Sequence, residues 1–500
     1  MVERKIEDLS VKGSSPFGST KYGGYSSMVE RRVVAADMSV QFCLFTPLIY
    51  GFGAMVACRS PKALMGVQIS QPVPKEQREK GGKGMEKEFE YKEEYAWLTN
   101  ICLNVTDACN LACRYCFVEQ HPHYMTLDVA KQAVHFILDN LEKKNKKFNE
   151  NKRASITYFG GEPTLMWNEI IVPLTIYIKE NNFPIDLNIT TNGTLLNKER
   201  ILFLKKNGII PLLSIDGDKE TQDYNRPCIN SKLSSFDLVV KNIPFLLEAF
   251  PKTTFRSTIY APTTDKTFEN YIFAIRQGFD NIFLIPNCRD QWTEQQKEAL
   301  HQEIHKIFSF MDFCFSNNIK PINFSTIKDC YRKMLQIDLL TFNNEVAERY
   351  LKRNVFRCGL GTTFGSIGYD GSIYGCQEQP SKSKNNIFYL GNIFNDGINK
   401  EKHIALLKNY NQEKKIECSN KLLCKECIMQ KRCINTNCPS STYDLYKDFF
   451  IASEINCLWE QWILEDAIVL NNKLVQENNQ LFQSYLDIDC EFNKKLKRKE

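Results

Sequence analysis

Three cysteines lie close together in the sequence, at Cys109, Cys113 and Cys116, with the spacing C-x3-C-x2-C. Thiolates are preferred ligands for zinc and for iron–sulfur clusters. Three thiolates on one short loop can bind three irons of a four-iron cluster and leave the fourth iron open to another ligand. They could also hold a catalytic zinc ion, although zinc sites more often mix cysteine with histidine from separate segments. The spacing therefore predicts a metal centre that is either an iron–sulfur cluster or zinc.

Further cysteines form a second group towards the carboxyl terminus. The candidate ligands there are Cys358, Cys376, Cys424, Cys427, Cys433, Cys438 and Cys457. The chain has 19 cysteines in 500 residues, whereas disulfide scaffolds are normally short secreted chains. Loops as short as those between neighbouring cysteines here favour metal ligation over disulfide bonds. We therefore expect reduced thiols and a cytoplasmic location.

Residues 98–290 alternate between short β-rich runs and amphipathic helical patterns, which predicts an α/β fold. Six runs separated by helices imply parallel strands with right-handed crossovers, that is, a partial (β/α)6 TIM-type barrel. The expected strands are Leu98–Val105, Ser155–Phe159, Asp186–Thr191, Pro211–Ile215, Thr254–Tyr260 and Asn281–Pro286. The expected helices are Leu127–Leu141, Trp167–Glu180, Lys198–Lys206, Phe236–Phe250, with a kink at Pro244, and Thr267–Gln277.

Chemically notable residues follow the first four predicted strands. Active sites of such barrels lie at the carboxyl ends of the strands. The cysteine trio follows the first strand, and the next three strands are followed by Gly160–Pro163, Asn192–Gly193 and Asp216–Gly217. We therefore expect these four turns to form one site.

The trio and the strand-end turns together resemble the radical S-adenosylmethionine (radical SAM) enzymes. That family has an aromatic residue before the last cysteine, which is Tyr115 here. Gly160–Pro163 (GGEP) resembles the segment that hydrogen-bonds the cofactor's amino group, and Asn192 lies in a turn similar to the family's third-strand turn. Ser214 resembles the serine that contacts the cofactor's carboxylate. The resemblance implies that a [4Fe–4S] cluster, reduced by a flavodoxin- or ferredoxin-type donor, cleaves S-adenosylmethionine to a 5′-deoxyadenosyl radical.

The same residues have properties that suit this cofactor. Gly160 and Gly161 permit close backbone approach to a ligand. Glu162 offers negative charge to an ammonium group, Ser214 offers a hydroxyl to a carboxylate, and Tyr115 offers a ring face to adenine.

Two nearby charged residues have alternative interpretations. Asp216 either belongs to the site or caps the helix that follows it. Arg226 either contacts the cofactor's carboxylate or is a solvated loop arginine.

The second cysteine region resembles the SPASM extension of the same family, which holds auxiliary iron–sulfur clusters. By this resemblance, the ligands of one cluster are Cys424, Cys427, Cys433 and Cys457. The ligands of the other are Cys358, Cys376 and Cys438, which would leave an iron open or require another thiol, such as Cys418. The C-x2-C pair alone would also suit a zinc site.

The SPASM resemblance implies a peptide or protein substrate, for which two functions compete. One is a maturase of ribosomally made peptides that forms thioether or carbon–carbon crosslinks. The other is an anaerobic sulfatase maturase that forms formylglycine; its members carry an aspartate, proposed as general base, directly after the cysteine that corresponds to Cys376. This chain has Gln377 there, which cannot accept a proton, although Glu378 could act as a substitute catalytic residue. We therefore favour the peptide maturase. A zinc-binding interaction protein is the alternative from another class.

Composition and charge exclude other classes of protein. Apolar residues make up 43% and charged residues 25%, which is typical of globular proteins. The net charge is only +5, and without a basic block interleaved with aromatic residues we expect no nucleic-acid partner.

The expected domain boundaries divide the chain into five parts. Residues 1–84 have no clear period and include an apolar segment, 39–58, long enough to span a bilayer. We interpret 1–84 as a non-native or disordered extension and expect no membrane partner. The barrel is expected over 85–290, a helical connection over 291–355, the SPASM domain over 356–460, and a helix with a basic tail over 461–500.

Overall fold

The structure, a computed structural model, describes residues 91–321, 323–324, 358–395, 397–410, 417–418, 438–449 and 451–487. The predicted N-terminal extension with its apolar segment lies outside these residues, as do Cys424, Cys427 and Cys433. In the part of the chain that the structure describes, no helix is both long enough and apolar enough to cross a bilayer.

Six parallel strands form the partial barrel that the sequence predicts. They are β1 (Asn100–Thr106), β2 (Ala154–Gly160), β3 (Ile185–Thr191), β4 (Ile210–Ser214), β5 (Thr254–Ile259) and β6 (Asn281–Pro286). Each strand pairs in parallel with the next one along the chain. The strand ends agree with the predicted ends to within two residues, and the α/β fold class is confirmed.

Helices connect these strands in the alternating order that parallel pairing requires. They are α1 (Leu127–Phe148), α2 (Val172–Glu180), α3 (Lys198–Asn207), α4 (Lys219–Asn225), α5 (Ser235–Val240), α6 (Ile243–Ala249), α7 (Thr267–Arg276) and, after β6, α8 (Glu294–Ser316). The ends of α3 show the local causes. The Asn197 side chain accepts the amide of Arg200 at the N-terminus, and Gly208 (φ 65°) ends the helix in the left-handed region.

Two predicted helices are divided in the structure. The predicted helix 236–250 consists of α5 and α6, with Pro244 in the first turn of α6. Proline has no N–H and its ring clashes with the preceding turn, so a helix restarts there rather than continuing. The predicted helix 167–180 begins with a π-helical turn, Trp167–Ile171, and α2 then starts with Pro173 in its first turn.

Strands from the carboxyl-terminal region extend the barrel sheet at both edges. They are β7 (Asn323–Phe324), β8 (Phe364–Ile367), β9 (Ser372–Tyr374), β10 (Tyr389–Asn392) and β11 (Gly397–Ile398). Strand β7 pairs with β6, and β8 pairs in parallel with β1, after which β9, β10 and β11 continue antiparallel. Main-chain hydrogen bonds thus join the cysteine-rich region directly to the first barrel strand.

The remaining elements pack the carboxyl-terminal region against the barrel. They are α9 (Lys400–Asn409), β12 (Glu417–Cys418), α10 (Pro439–Tyr446), β13 (Ile451–Ala452), α11 (Glu454–Gln476) and α12 (Gln480–Asp487). Helix α11 lies along α8, where Lys297 pairs with Glu454 at 2.8 Å and the rings of His301 and Trp462 stack with centroids 4.8 Å apart. The helix expected within 461–500 corresponds to α12 and to α11, which begins earlier, at Glu454.

Candidate active site

The cysteine trio lies on a loop at the carboxyl end of β1, between residues 107 and 118. Main-chain hydrogen bonds fasten this loop to residues 225–229, which follow α4. The bonds run from Ala112 N to Pro227 O (2.8 Å), from Arg114 N to Asn225 O (2.9 Å) and from Ile229 N to Asn110 O (3.1 Å). The loop after the first strand is therefore held in place by the chain that follows the fourth.

The three cysteines line the cavity wall close to hydrogen-bond donors; Cys109 and Cys113 are partly buried and Cys116 is exposed. Burial raises the pKa of Cys109 to about 12 and that of Cys113 to about 11, and it also raises the pKa of Cys116. The Cys109 sulfur lies 3.4 Å from Leu111 N, and the Cys113 sulfur lies 4.0 Å from Arg226 Nη1. Donors of this kind stabilise thiolates once the thiols lose their protons to a metal.

Two glycines bring the end of β2 against the start of this loop. A Cβ atom on Gly160, whose φ is 134°, would lie 2.2 Å from Thr106 O, and one on Gly161 would lie 2.2 Å from Ala108 O. No larger residue fits such a backbone-to-backbone contact. The N–H of Gly161 donates to Thr106 O at 2.9 Å, so this amide is used within the fold.

Glu162 joins the ends of β2 and β3. One carboxylate oxygen accepts hydrogen bonds from Thr164 and, at 2.7 Å, from the Thr191 hydroxyl. The other accepts from Asn192 N at 2.8 Å. The side chain is only 1% exposed, and burial raises its pKa. These contacts show that Glu162 positions the turn after β3, in addition to lining the cavity described below.

Asp216, after β4, is the centre of a buried polar network. It accepts hydrogen bonds from the Tyr115 hydroxyl, from Asn225 Nδ2 at 3.1 Å and from Thr258 N at 3.1 Å. Arg226 Nε lies 3.0 Å from its Oδ1 in an ion pair. This network fixes Tyr115, which lies between the second and third cysteines of the trio.

These contacts decide between the alternatives for Asp216 and Arg226. Asp218, two residues further on, caps α4 by accepting the amide of Thr221 at 2.9 Å. The cap interpretation of Asp216 is therefore wrong. Arg226 is 8% exposed, so the solvated-arginine interpretation is also wrong, and its guanidinium lies 5.3 Å from the centre of the Tyr115 ring.

Asn192 and Ser214 complete the set of predicted cofactor residues. Asn192 Nδ2 lies 3.9 Å from the Cys109 sulfur and donates to Asn110 Oδ1 at 3.0 Å. Ser214 is the last residue of β4 and pairs in register with Arg256 of β5. Both side chains border the same cavity.

One cavity of about 550 Å³ gathers the predicted residues at the carboxyl ends of the strands. Its wall includes the cysteine trio and the predicted cofactor-binding residues Tyr115, Gly160, Gly161, Glu162, Asn192 and Ser214. It continues to Glu378 and Cys438 in the carboxyl-terminal region. The volume is within the ordinary range of ligand-binding sites. The first three strand-end turns and Ser214 of the fourth strand thus border one cavity, while Asp216 lies behind its wall and contacts Tyr115 and Arg226.

Glu378 is held at the far side of this cavity by an arginine. Arg289, shortly after β6, places Nη2 2.7 Å from Glu378 Oε2 and 3.0 Å from Asp444 Oδ2. Glu378 Oε2 also lies 4.0 Å from the Cys438 sulfur. Gln377 borders the same cavity, and its side-chain oxygen accepts a hydrogen bond from the Cys102 thiol at 2.9 Å.

The second group has four described cysteines, and all of them are free thiols: Cys358, Cys376, Cys438 and Cys457. Some of them affect one another's pKa. Burial raises the pKa of Cys438 to about 12, with smaller contributions from Glu378 and Cys358. Burial, Glu378 and Cys438 raise the pKa of Cys376 well above its usual range. Cys457 lies in the first turn of α11, and its three predicted co-ligands lie outside the described residues.

Among the residues of the cavity wall that the sequence did not single out as site residues are Arg256, Cys288 and Arg289. Cys288 and Arg289 follow the end of β6. The rule that barrel active sites lie at the carboxyl ends of the strands, called the strand-end rule below, therefore predicts them as well as the first four turns. Arg256 stands within β5, and a charged residue inside an apolar strand is the signal that was missed. Cys288, which belongs to neither of the two cysteine groups, borders the cavity.

The trio's chemistry fits a four-iron cluster with S-adenosylmethionine beside it. Among the described residues, no three Cys, His, Asp or Glu side chains converge closely enough to surround a single metal ion. An iron–sulfur cluster is held by cysteine thiolates, and the trio supplies three of them. The glycine pair, packed where a Cβ would clash, opens on the same cavity.

Comparison with known proteins identifies the family. The family model described as the Radical SAM superfamily matches residues 103–275. A cysteine-type anaerobic sulfatase-maturating enzyme of Clostridium perfringens (strain ATCC 13124) is 31% identical over 54% of this chain and 72% of its own length. The chain therefore belongs to the radical SAM superfamily, and the predicted family and enzyme class are confirmed. This membership argues against the zinc-binding interaction protein.

Two further similarities extend the comparison. The radical SAM cyclopropyl synthase TigE of Paramaledivibacter caminithermalis is 26% identical over 59% of this chain and 59% of its own length. The match thus spans less than two thirds of that synthase. A solved structure of native anSMEcpe with bound AdoMet superimposes with a TM-score of 0.56 at 18% identity, covering 76% of this chain and 100% of that one. At this identity, the similarity shows the fold.

Proposed function

We propose that this enzyme modifies a peptide by forming a thioether or carbon–carbon crosslink. The observation that supports this is the single cavity that runs from the cysteine trio to Glu378 and Cys438. A radical must be generated beside its target, so a substrate has to reach the trio's end of the cavity. The outer part is bordered by the carboxyl-terminal region, which offers a surface to the rest of a peptide.

The barrel residues would hold the cofactors. Cys109, Cys113 and Cys116 would ligate a [4Fe–4S] cluster, and Ser214 and Arg226 would face the carboxylate of S-adenosylmethionine. When bound, these cofactors supply a 5′-deoxyadenosyl radical that removes a hydrogen atom from the substrate. Asp216 keeps Tyr115 and Arg226 in place through its hydrogen bond to the Tyr115 hydroxyl and its ion pair with Arg226.

The carboxyl-terminal cysteines would hold two auxiliary clusters. Cys358, Cys376 and Cys438 would ligate one, and the other would use Cys424, Cys427, Cys433 and Cys457. The raised pKa values of the first set mean that these thiols release protons only when metal binds. A flavodoxin- or ferredoxin-type donor would supply electrons in the cytoplasm, where thiols remain reduced.

The alternative function is that of an anaerobic sulfatase maturase, which the Clostridium relative favours. Position 377 offers no carboxylate, and the Gln377 side chain there is engaged with Cys102. Glu378 is the nearest substitute, but it would have to leave its ion pair with Arg289 to accept a proton. These two contacts lead us to prefer the crosslinking maturase.

Peptide assays distinguish the two functions. The reconstituted enzyme would be incubated anaerobically with S-adenosylmethionine, a reductant, and either the Cp18Cys peptide of a structural neighbour or a pool of small peptides from the source cells. We expect a peptide in the pool to lose two hydrogen atoms, as crosslinking requires. Hydrazide-reactive Cp18Cys would instead support the sulfatase maturase. If no peptide changes while 5′-deoxyadenosine accumulates, the peptide-modification proposal is wrong.

A further inference from the structure

Arg256 is a positive charge inside the cavity that has no ion-pair partner among the described residues. It is the third residue of β5 and borders the cavity beside Ser214. Its side chain extends towards β6, where the guanidinium lies 5.0 Å from the centre of the Phe283 ring. Only Nη1 has hydrogen bonds within the described residues, to Ser257 O at 2.9 Å and to the Thr258 hydroxyl at 3.3 Å.

The other two cavity arginines are neutralised, which makes Arg256 different. Arg226 pairs with Asp216 at 3.0 Å, and Arg289 pairs with both Glu378 and Asp444. Among the residues that the structure describes, Arg256 forms no ion pair. Burial and then repulsion from Arg226 lower its pKa to about 10, so it is still charged at neutral pH. A buried charge without a partner is costly, and such a charge is retained where a ligand supplies the partner.

The position of Arg256 favours a substrate group over the cofactor's carboxylate. Ser214 is the register partner of Arg256, but the Arg256 side chain leans away from it, towards Phe283 of β6. The amino-acid end of S-adenosylmethionine would bind the cluster, so its carboxylate would lie between Ser214 and the cysteine loop. The arginine that reaches this loop is Arg226, 4.0 Å from the Cys113 sulfur.

We propose that Arg256 is a specificity-determining residue that binds the carboxylate of an acidic side chain, Asp or Glu, in the peptide substrate. A guanidinium presents a planar fork of donors that matches a carboxylate in a bidentate pair. Stacking against Phe283 holds this fork in one orientation. The inference rests on the proposed peptide-modifying function and adds the chemical class of the residue that enters the cavity.

A binding selection tests this inference without turnover. A random peptide library displayed on mRNA would be selected on the reconstituted enzyme with S-adenosylmethionine and no reductant. We expect wild type to enrich Asp or Glu at one fixed position and Arg256→Gln to lose that enrichment. Arg256→Lys, which keeps the charge, should retain part of it. Arg153→Gln, which removes an exposed arginine paired with Asp186, is the matched control and should select the same peptides as wild type.

A double-mutant cycle then makes the test quantitative. Replacing the enriched acidic residue by its amide should weaken binding to wild type about tenfold and leave binding to Arg256→Gln unchanged. If Arg256→Gln does not fold, the comparison of the acidic peptide with its amide on wild-type enzyme still tests the inference.

Three results would overturn the inference. Peptides enriched without any acidic preference, or with the same preference in Arg256→Gln, would refute the role of Arg256 while the proposed function stands. If Arg256→Gln weakens binding of S-adenosylmethionine but not of its decarboxylated analogue, then Arg256 binds the carboxylate of the cofactor and not that of the peptide. If no peptide is enriched and none is modified, the proposed function itself fails, and the inference fails with it.

Discussion

Asp216 and Arg226 form an almost fully buried ion pair, with Arg226 Nε 3.0 Å from Asp216 Oδ1, directly beside the cysteine loop. Arg226 extends from this pair to the Cys113 sulfur. Burial by itself would lower the pKa of Arg226, but Asp216 reverses the effect and raises it. The pair therefore keeps one positive charge fixed next to the thiols.

Removal of Asp216 should destabilise the protein strongly. Asp216→Asn leaves Arg226 buried without its counter-charge, and breaking such a pair costs on the order of 3 kcal/mol. Urea unfolding of the protein should show this loss. Asp237→Asn is the matched control, because the Asp237–Lys219 pair is exposed and should contribute nothing measurable. Equal effects of the two substitutions would contradict the importance of the buried pair.

The glycine pair should be required for cluster assembly rather than for stability alone. Gly161→Ala places a Cβ 2.2 Å from Ala108 O, which must displace the start of the cysteine loop. We expect a large loss of bound iron per chain after anaerobic reconstitution.

The control for this prediction is Gly208→Ala at the end of α3. Its φ of 65° makes alanine unfavourable by about 1 kcal/mol, but no atom lies within 4 Å of the new Cβ. This variant should lose stability and keep its iron. Retention of full iron content by Gly161→Ala would show that the close contact does not position the loop.

His403 should make the second cysteine region sensitive to acid. Its Nε2 lies 2.6 Å from Gly361 O and its Nδ1 lies 3.0 Å from the Tyr91 hydroxyl. Gly361 N in turn donates to Gly375 O at 3.1 Å, next to Cys376. This histidine thus supports the turn between Cys358 and Cys376.

His403 is neutral in the folded protein, and this determines the direction in which the folding stability changes with pH. Burial lowers its pKa to about 4 from the ordinary 6.5, so the folded protein binds fewer protons than the unfolded chain between these values. Stability is unaffected above pH 6.5 and falls as the pH drops towards 4, by up to about 3 kcal/mol. The stability difference between wild type and His403→Gln should shrink over this window in thermal unfolding. A constant difference would mean that His403 does not titrate this way.

Glu378 should affect peptide modification without affecting cofactor cleavage. It lies at the far side of the cavity, paired with Arg289, and Asp444 remains as a partner for Arg289 if the charge is removed. If Glu378 is the catalytic base, Glu378→Gln should lower the modification rate about 100-fold or more. Peptide-independent formation of 5′-deoxyadenosine, measured by liquid chromatography, should stay at the wild-type rate. An unchanged modification rate would show that Glu378 takes no part in the modification reaction.

The barrel strands were predictable because their apolar runs are a local property of the sequence. Strand β6 (Asn281–Pro286) agrees with the prediction at both ends. The strand-end rule also placed Gly160, Asn192 and Ser214 at one cavity. Such signals need only the residues of each segment and the rule for parallel strands.

Features that depend on contacts between distant segments were not predictable in this way. The attachment of the cysteine loop to residues 225–229 consists of main-chain bonds, which leave no mark in residue type. The pairing of β8 with β1 is of the same kind. Asp216 and Asp218 both precede α4, and only the three-dimensional arrangement shows that Asp218 is the cap.

The central claim is that Cys109, Cys113 and Cys116 hold a cluster that splits S-adenosylmethionine. The most direct measurement is the yield of 5′-deoxyadenosine from anaerobically reconstituted enzyme with S-adenosylmethionine and a strong reductant. We predict that wild type and Cys314→Ala, which changes a thiol of α8 outside the cavity, form the nucleoside, whereas Cys113→Ala forms none. Wild-type protein that contains iron but forms no 5′-deoxyadenosine, or a Cys113→Ala variant that still forms it, would contradict the account.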